Sequence, residues 1–113
     1  MQDARKTKRY PLRTPVYLTW SDGGEVLELA GVTRDVSMKG IFFLAGAALN
    51  VGTHLKVDVV LPTLSGQRRG MKLHGEGTVL RVERQGRSER GIAAKVAFEG
   101  ETEETFLACG LVQ

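Results

Sequence analysis

The chain is poor in the residues on which much site chemistry depends. Its 113 residues include one cysteine, two histidines and one tryptophan. A lone cysteine, Cys109, excludes an internal disulfide and suggests a reducing compartment, so the cytoplasm is the expected location. His54 and His74 stand at unrelated spacings from Cys109, and no metal site is expected from them. No apolar run approaches the roughly 18 residues that a membrane helix requires. The basic N-terminus has no apolar segment behind it, so no signal peptide is expected. No nucleophile–base pair and no glycine-rich phosphate loop can be read, which makes an enzyme or a resident cofactor unexpected. Aromatic residues make up 6% of the chain. Trp20, Phe42, Phe43, Phe98 and Phe106 read as core or rim positions rather than as a base-stacking platform.

What remains is ordinary in amount and unusual in placement. A hydrophobic fraction of 42% and a charged fraction of 26% suit one soluble globular domain with a real core. The net charge is +3. Residues 1–14 hold Arg5, Lys6, Lys8, Arg9 and Arg13 against Asp3 alone, a local charge of +4. The rest of the chain carries 11 basic and 12 acidic residues. The positive character therefore belongs to a leader, either a solvated tail or a local anion site.

Turn signals recur at short intervals, at Ser21–Gly24, Lys39-Gly40, Asn50–Gly52, Ser65-Gly66 and Gln85–Ser88. The runs between them alternate in the manner of half-buried strands. Leu55, Val57, Val59 and Leu61 share one face, as do Ile92, Ala94, Val96 and Phe98. Strands are expected over 16–20, 25–33, 41–44, 54–59, 71–84 and 92–98. Asp22-Gly23-Gly24 marks a hairpin between the first two, because glycine accepts the positive φ of such turns. Adjacent apolar residues at Thr78-Val79-Leu80 predict a bulge or a change of buried face. Thr102 followed by Glu103 and Glu104 reads as the start of a short C-terminal helix. Its Phe106, Leu107 and Val112 are expected to cover the barrel mouth. The pattern predicts an all-β protein, a six-stranded antiparallel split barrel. Residues 1–14 are expected to form a mobile basic arm, and 15–113 a single domain.

Arg5, Arg9 and Arg13 recur every four residues, yet Pro11 and Pro15 prevent a helix. In an extended chain, residues four apart still face the same way, with backbone sites up to ~13 Å apart. A pair of guanidinium forks at that span suits a ligand with two anionic or purine groups. Downstream, "DVSMKG" (Asp35 to Gly40) offers a carboxylate, a hydroxyl and a glycine on a tight connection. A carboxylate accepts hydrogen bonds from the N1–H/N2–H edge of guanine. Taken alone, Asp35 and Ser37 also fit simple turn capping.

With these motifs in order, the chain resembles a PilZ domain, the bacterial receptor module for cyclic di-GMP. "RYPLR" (Arg9 to Arg13) before "TPVYL" matches the family's RxxxR, and "DVSMKG" matches its [D/N]xSxxG. "RKTKR" (Arg5 to Arg9) also satisfies the first pattern. Arg9/Arg13 is the preferred register, because the second arginine in the family directly precedes the first strand. Lys39 departs from a glycine common in members. "GEGTVLRV" and "GIAAKVAF" resemble the closing strands, so the likeness spans nearly the whole chain.

The resemblance implies that cyclic di-GMP binds on the outer barrel surface. Arg9 and Arg13 would grip phosphate and the guanine Hoogsteen edge, and Asp35 and Ser37 would contact guanine or the arm. Gly40 would keep the turn open, Arg5 and Lys8 would add phosphate contacts, and Arg81 would flank a base. The implied function is a receptor or adaptor whose arm orders on binding and signals to a protein partner. A ligand-independent PilZ-type interaction module and a barrel for single-stranded nucleic acid are the alternatives. Relatives of the former kind usually lack the paired arginines. The latter would want exposed aromatics along a groove, so no DNA or RNA is expected.

Overall fold

The computed structural model of the chain describes residues 9–47, 49–61 and 71–99. Among the described residues there are seven strands: β1 (Tyr10–Pro11), β2 (Pro15–Asp22), β3 (Glu25–Ser37), β4 (Gly40–Ala45), β5 (His54–Leu61), β6 (Met71–Arg84) and β7 (Arg90–Phe98). All pairings are antiparallel. Six strands close in the order β3-β2-β5-β6-β7-β4, with β4 returning to β3, and β1 adds to the edge of β3. Closure removes most of the exposed edge that an open sheet would leave unpaired.

Alternation fixes what faces inward. Val16 and Leu18 on β2, with Leu55, Val57, Val59 and Leu61 on β5, are buried, while Tyr17 between the former is exposed. Ile92, Ala94 and Val96 of β7 and Phe43 of β4 join them in the interior cluster. The β2–β3 turn is Gly23-Gly24, with φ of 60° and 90°, which pairs Asp22 with Glu25. A residue with a Cβ is strained at such angles.

Two strands each carry an extra residue. On β6 the register shifts between Val79 and Arg81, so Leu80 bulges outward and is exposed. This is the predicted break in alternation. On β3 the shift falls between Thr33 and Asp35, with Arg34 as the inserted residue. Thr33 faces the interior, fully buried, and strict alternation would turn Asp35 inward as well. The bulge instead brings Val36 into the core and leaves Asp35 outside.

β3 runs to Ser37, four residues beyond its expected end, so Asp35 is a paired strand residue and the turn itself is Met38-Lys39. Phe42 is buried at 6% exposure but lies outside the interior cluster, opposite outward-facing Asp35. The expected C-terminal helix, with Phe106, Leu107 and Val112, and the leader residues Arg5, Lys6 and Lys8 lie outside the described residues. Among the described residues no helix is long and apolar enough to cross a membrane.

Candidate functional site

The leader from Arg9 onward is stitched along one edge of β3. Tyr10 pairs with Val36 and Pro11 with Asp35. Pro11 is tolerated because β1 has a partner on one side only. The Leu12 N–H donates to the Arg34 carbonyl at 3.1 Å, and the Thr33 N–H donates to the Thr14 carbonyl at 2.8 Å. The Thr33 hydroxyl accepts the Thr14 N–H at 3.0 Å and donates to the Leu12 carbonyl. The Thr14 hydroxyl donates to the Val60 carbonyl on β5. Tyr10 and Leu12 pack against the core, which leaves Arg9, Pro11 and Arg13 exposed between them. Side chains two apart in an extended chain share a face, so both arginines project from the outer side.

The two sequence motifs meet there. Arg9 Nη1 lies 3.2 Å from Asp35 Oδ1, with the side chains 55% and 27% exposed. Arg13 has no ion-pair partner among the described residues. Ser37 is nearly buried; its hydroxyl accepts the Lys39 N–H at 3.2 Å and donates to the Gly40 carbonyl at 3.3 Å. It therefore braces the turn behind Asp35. The Lys39 carbonyl accepts from Val96 N–H at 2.8 Å, while its side chain is exposed.

Gly40 serves a purpose different from the one its motif suggests. Its φ is not positive, but a Cβ there would sit 2.7 Å from the carbonyl oxygen of Ala94. The glycine allows β4 to approach β7 closely beside the Asp35 turn.

Registers across the sheet align an outward row: Asp35 on β3, Phe42 on β4, Ala93 on β7 and Arg81 on β6. The Arg34 guanidinium lies over the Phe42 ring, 5.3 Å from its centroid, within cation–π range. The far end of that ring fills the space above Gly91, where a Cβ would come within 2.6 Å of Cζ. Gln85 approaches the same spot. Glu83 accepts from Arg81 Nε through one carboxylate oxygen and from Gln85 Nε2, at 3.3 Å, through the other. Arg34, Phe42 and Glu83 were absent from the sequence reading of the site. The bulge that positions Arg34 left no local signal, because Thr33, Arg34 and Asp35 are all polar and only the burial of Thr33 and Val36 reveals the shift.

Arg5 and Lys8, named from the sequence as further phosphate contacts, lie outside the described residues. His54 and His74 are exposed and pair with Glu76 and Asp58. No group of three metal-binding side chains occurs among the described residues. Concavities of about 420 and 370 Å³ are lined by residues including Trp20, Asp22, His54 and Lys56, and Asp58, His74 and Glu99, respectively. Neither includes Arg9, Arg13 or Asp35. The candidate site is thus an outer barrel face and not either of these hollows.

The fold is shared with solved structures of low sequence identity. The inhibitor of motility MotI/DgrA of Bacillus subtilis superposes with a TM-score of 0.64 at 14% identity, covering 96% of this chain and 49% of that one. This chain thus spans about half the length of that protein. The PilZ domain of YcgR from Escherichia coli, solved with c-di-GMP, gives 0.62 at 17% identity, covering 96% and 89%. The PilZ domain of CeSA from a cellulose synthesizing bacterium gives 0.56 at 23% identity, covering 94% and 99%. No curated protein sequence matches. The PilZ domain family model matches residues 3–109, nearly the full length, and the chain belongs to that family.

Proposed function

We propose that this chain is a cyclic di-GMP receptor domain, a binding module rather than an enzyme, that passes its ligand state to a protein partner. The observation that carries the reading is the meeting of Arg9 with Asp35, with Arg13 projecting from the same leader. The E. coli PilZ domain solved with this dinucleotide has the same fold and supports it.

Each residue then has a task. Arg9 and Arg13 pair with phosphate oxygens and with the O6/N7 edge of guanine, which their planar forks match. Asp35 uses its carboxylate oxygens to accept from guanine N1–H and N2–H, which a phosphate-binding lysine cannot do. Ser37 and Gly40 hold that carboxylate in place through the turn and through the contact with β7. Arg5 and Lys8 add charge for the phosphates.

The ligand also supplies the signal. Five cations crowd the leader against one acid, and a dianionic nucleotide relieves their repulsion by lying against them. A nucleotide seated against the leader and the Asp35 turn changes the charge and shape of the surface that a partner meets. A ligand-independent interaction module would have no use for two exposed arginines on a leader docked beside Asp35.

Titration of the wild type, Arg13→Ala and Asp35→Ala with cyclic di-GMP tests the assignment. Hydrogen bonds to charged groups contribute about 1.5–3 kcal/mol each. At about 1.4 kcal/mol per tenfold, each variant should bind ten- to a hundredfold more weakly. Equal affinities across all three would end the proposal.

A further inference from the structure

Beside the Arg9–Asp35 contact, the same face carries a second constellation that the RxxxR and [D/N]xSxxG motifs do not include. Resting on the receptor reading above, we propose that Arg34, Phe42 and Glu83 form a second base subsite. The guanidinium of Arg34 is its stacking plane, and Glu83 selects guanine.

The β3 bulge creates the platform. Arg34 is the inserted residue, and its guanidinium carbon lies over Phe42, 5.3 Å from the ring centroid. Phe42 is itself 6% exposed, so the ring cannot receive a base directly. The accessible plane is the guanidinium above it, because Arg34 is exposed. Guanidinium groups stack on aromatic planes on both faces, and one already backed by a ring is held for a base on the other. Phe42 is fixed in turn by Gly91, whose missing side chain admits the ring edge.

Glu83 supplies the reading edge. A carboxylate on a phosphate-binding face repels the anionic part of the ligand, so one retained there suits a base that brings N–H donors. Arg81 and Gln85 each hold one of its oxygens, which aims the group while leaving further lone pairs open. Guanine presents N1–H and N2–H to such a group, whereas adenine presents only N6–H beside the N1 acceptor. The pair with Arg81 is roughly half exposed, so adjusting it on binding costs little. Phe42 and Gln85 both approach the position of Gly91, which places the platform and the carboxylate on one continuous patch.

The experiment is calorimetric titration with cyclic di-GMP and with the hybrid cyclic GMP–AMP, on wild type, Arg34→Lys and Glu83→Gln. The wild type should prefer the di-guanine ligand. Glu83→Gln should lose about tenfold for cyclic di-GMP and little for the hybrid, erasing the preference. Arg34→Lys keeps the charge but removes the plane, and should weaken both ligands to a similar degree. Arg34 is exposed and the Glu83 side chain is 40% exposed, so melting temperatures should stay close to the wild-type value. If wild type binds cyclic di-GMP and both variants match its affinity and preference, the subsite is wrong while the receptor reading stands. If wild type binds neither dinucleotide, both proposals fail together.

Discussion

Arg9 Nη1 and Asp35 Oδ1 stand 3.2 Å apart although 26 positions separate them in the chain. The backbone brings them together, because Pro11 pairs with Asp35 and Leu12 bonds Arg34. The ion pair decorates that docking and does not cause it. Exposed pairs of this kind contribute about 0–1 kcal/mol to stability.

A separation of stability from binding follows. Arg9→Ala and Asp35→Ala should each shift the free energy of urea unfolding by less than about 1 kcal/mol. The same variants should lose tenfold or more in affinity for cyclic di-GMP, at about 1.4 kcal/mol per tenfold. A large loss of stability in either would show that the pair holds the leader down.

The leader is held instead by Thr33. Its hydroxyl accepts the Thr14 N–H and donates to the Leu12 carbonyl, in a fully buried position. Thr33→Val keeps the shape but leaves the Thr14 N–H without a partner, a cost of about 1–3 kcal/mol. Equilibrium denaturation should show that loss, and hydrogen exchange should rise at Leu12 and Thr14. Wild-type protection at those amides would contradict the bracing role.

Gly40→Ala separates packing from ligand contact. The new Cβ would lie 2.7 Å from the Ala94 carbonyl oxygen, and backbone must move to relieve it. Overpacking of this kind costs about 1–3 kcal/mol. The melting temperature should therefore fall even without ligand. A glycine needed only to leave room for the nucleotide would give an unchanged melting temperature and weaker binding.

Competition addresses the alternative of a nucleic-acid barrel. Among the described aromatics, Phe43 is fully buried, and Phe42 lies beneath Arg34. Stacking of successive bases on aromatic rings is what gives single-strand binders their length-dependent affinity. Single-stranded oligonucleotides of increasing length should leave bound cyclic di-GMP undisplaced, in a fluorescence competition assay.

Much of this architecture was legible from local pattern. Alternation at Val16/Leu18 and Leu55/Val57/Val59 fixed strands and inward faces, and Gly23-Gly24 fixed a turn through its φ values. The crowded apolar residues near Leu80 announced a bulge. The second bulge, at Arg34, was hidden because Thr33, Arg34 and Asp35 are all polar and carry no apolar parity of their own. Their facing is decided by Val36 and Phe43, through burial that only the closed barrel supplies. The anchoring of Tyr10 and Leu12 was obscured by the charges around them. The packing role of Gly40 depends on Ala94, more than fifty positions away, and local sequence carries no trace of it. The candidate site was legible as two motifs; the stack of Arg34 on Phe42 beside them required registers across β3, β4 and β7.

Calorimetric titration of the full chain with cyclic di-GMP, run beside Arg13→Ala, tests the central claim most directly. Arg13 has no ion-pair partner among the described residues, so its removal should leave folding intact. The account predicts saturable binding by the wild type, and affinity at least tenfold weaker in the variant. No heat from the wild type, or superimposable isotherms for the two proteins, would contradict it.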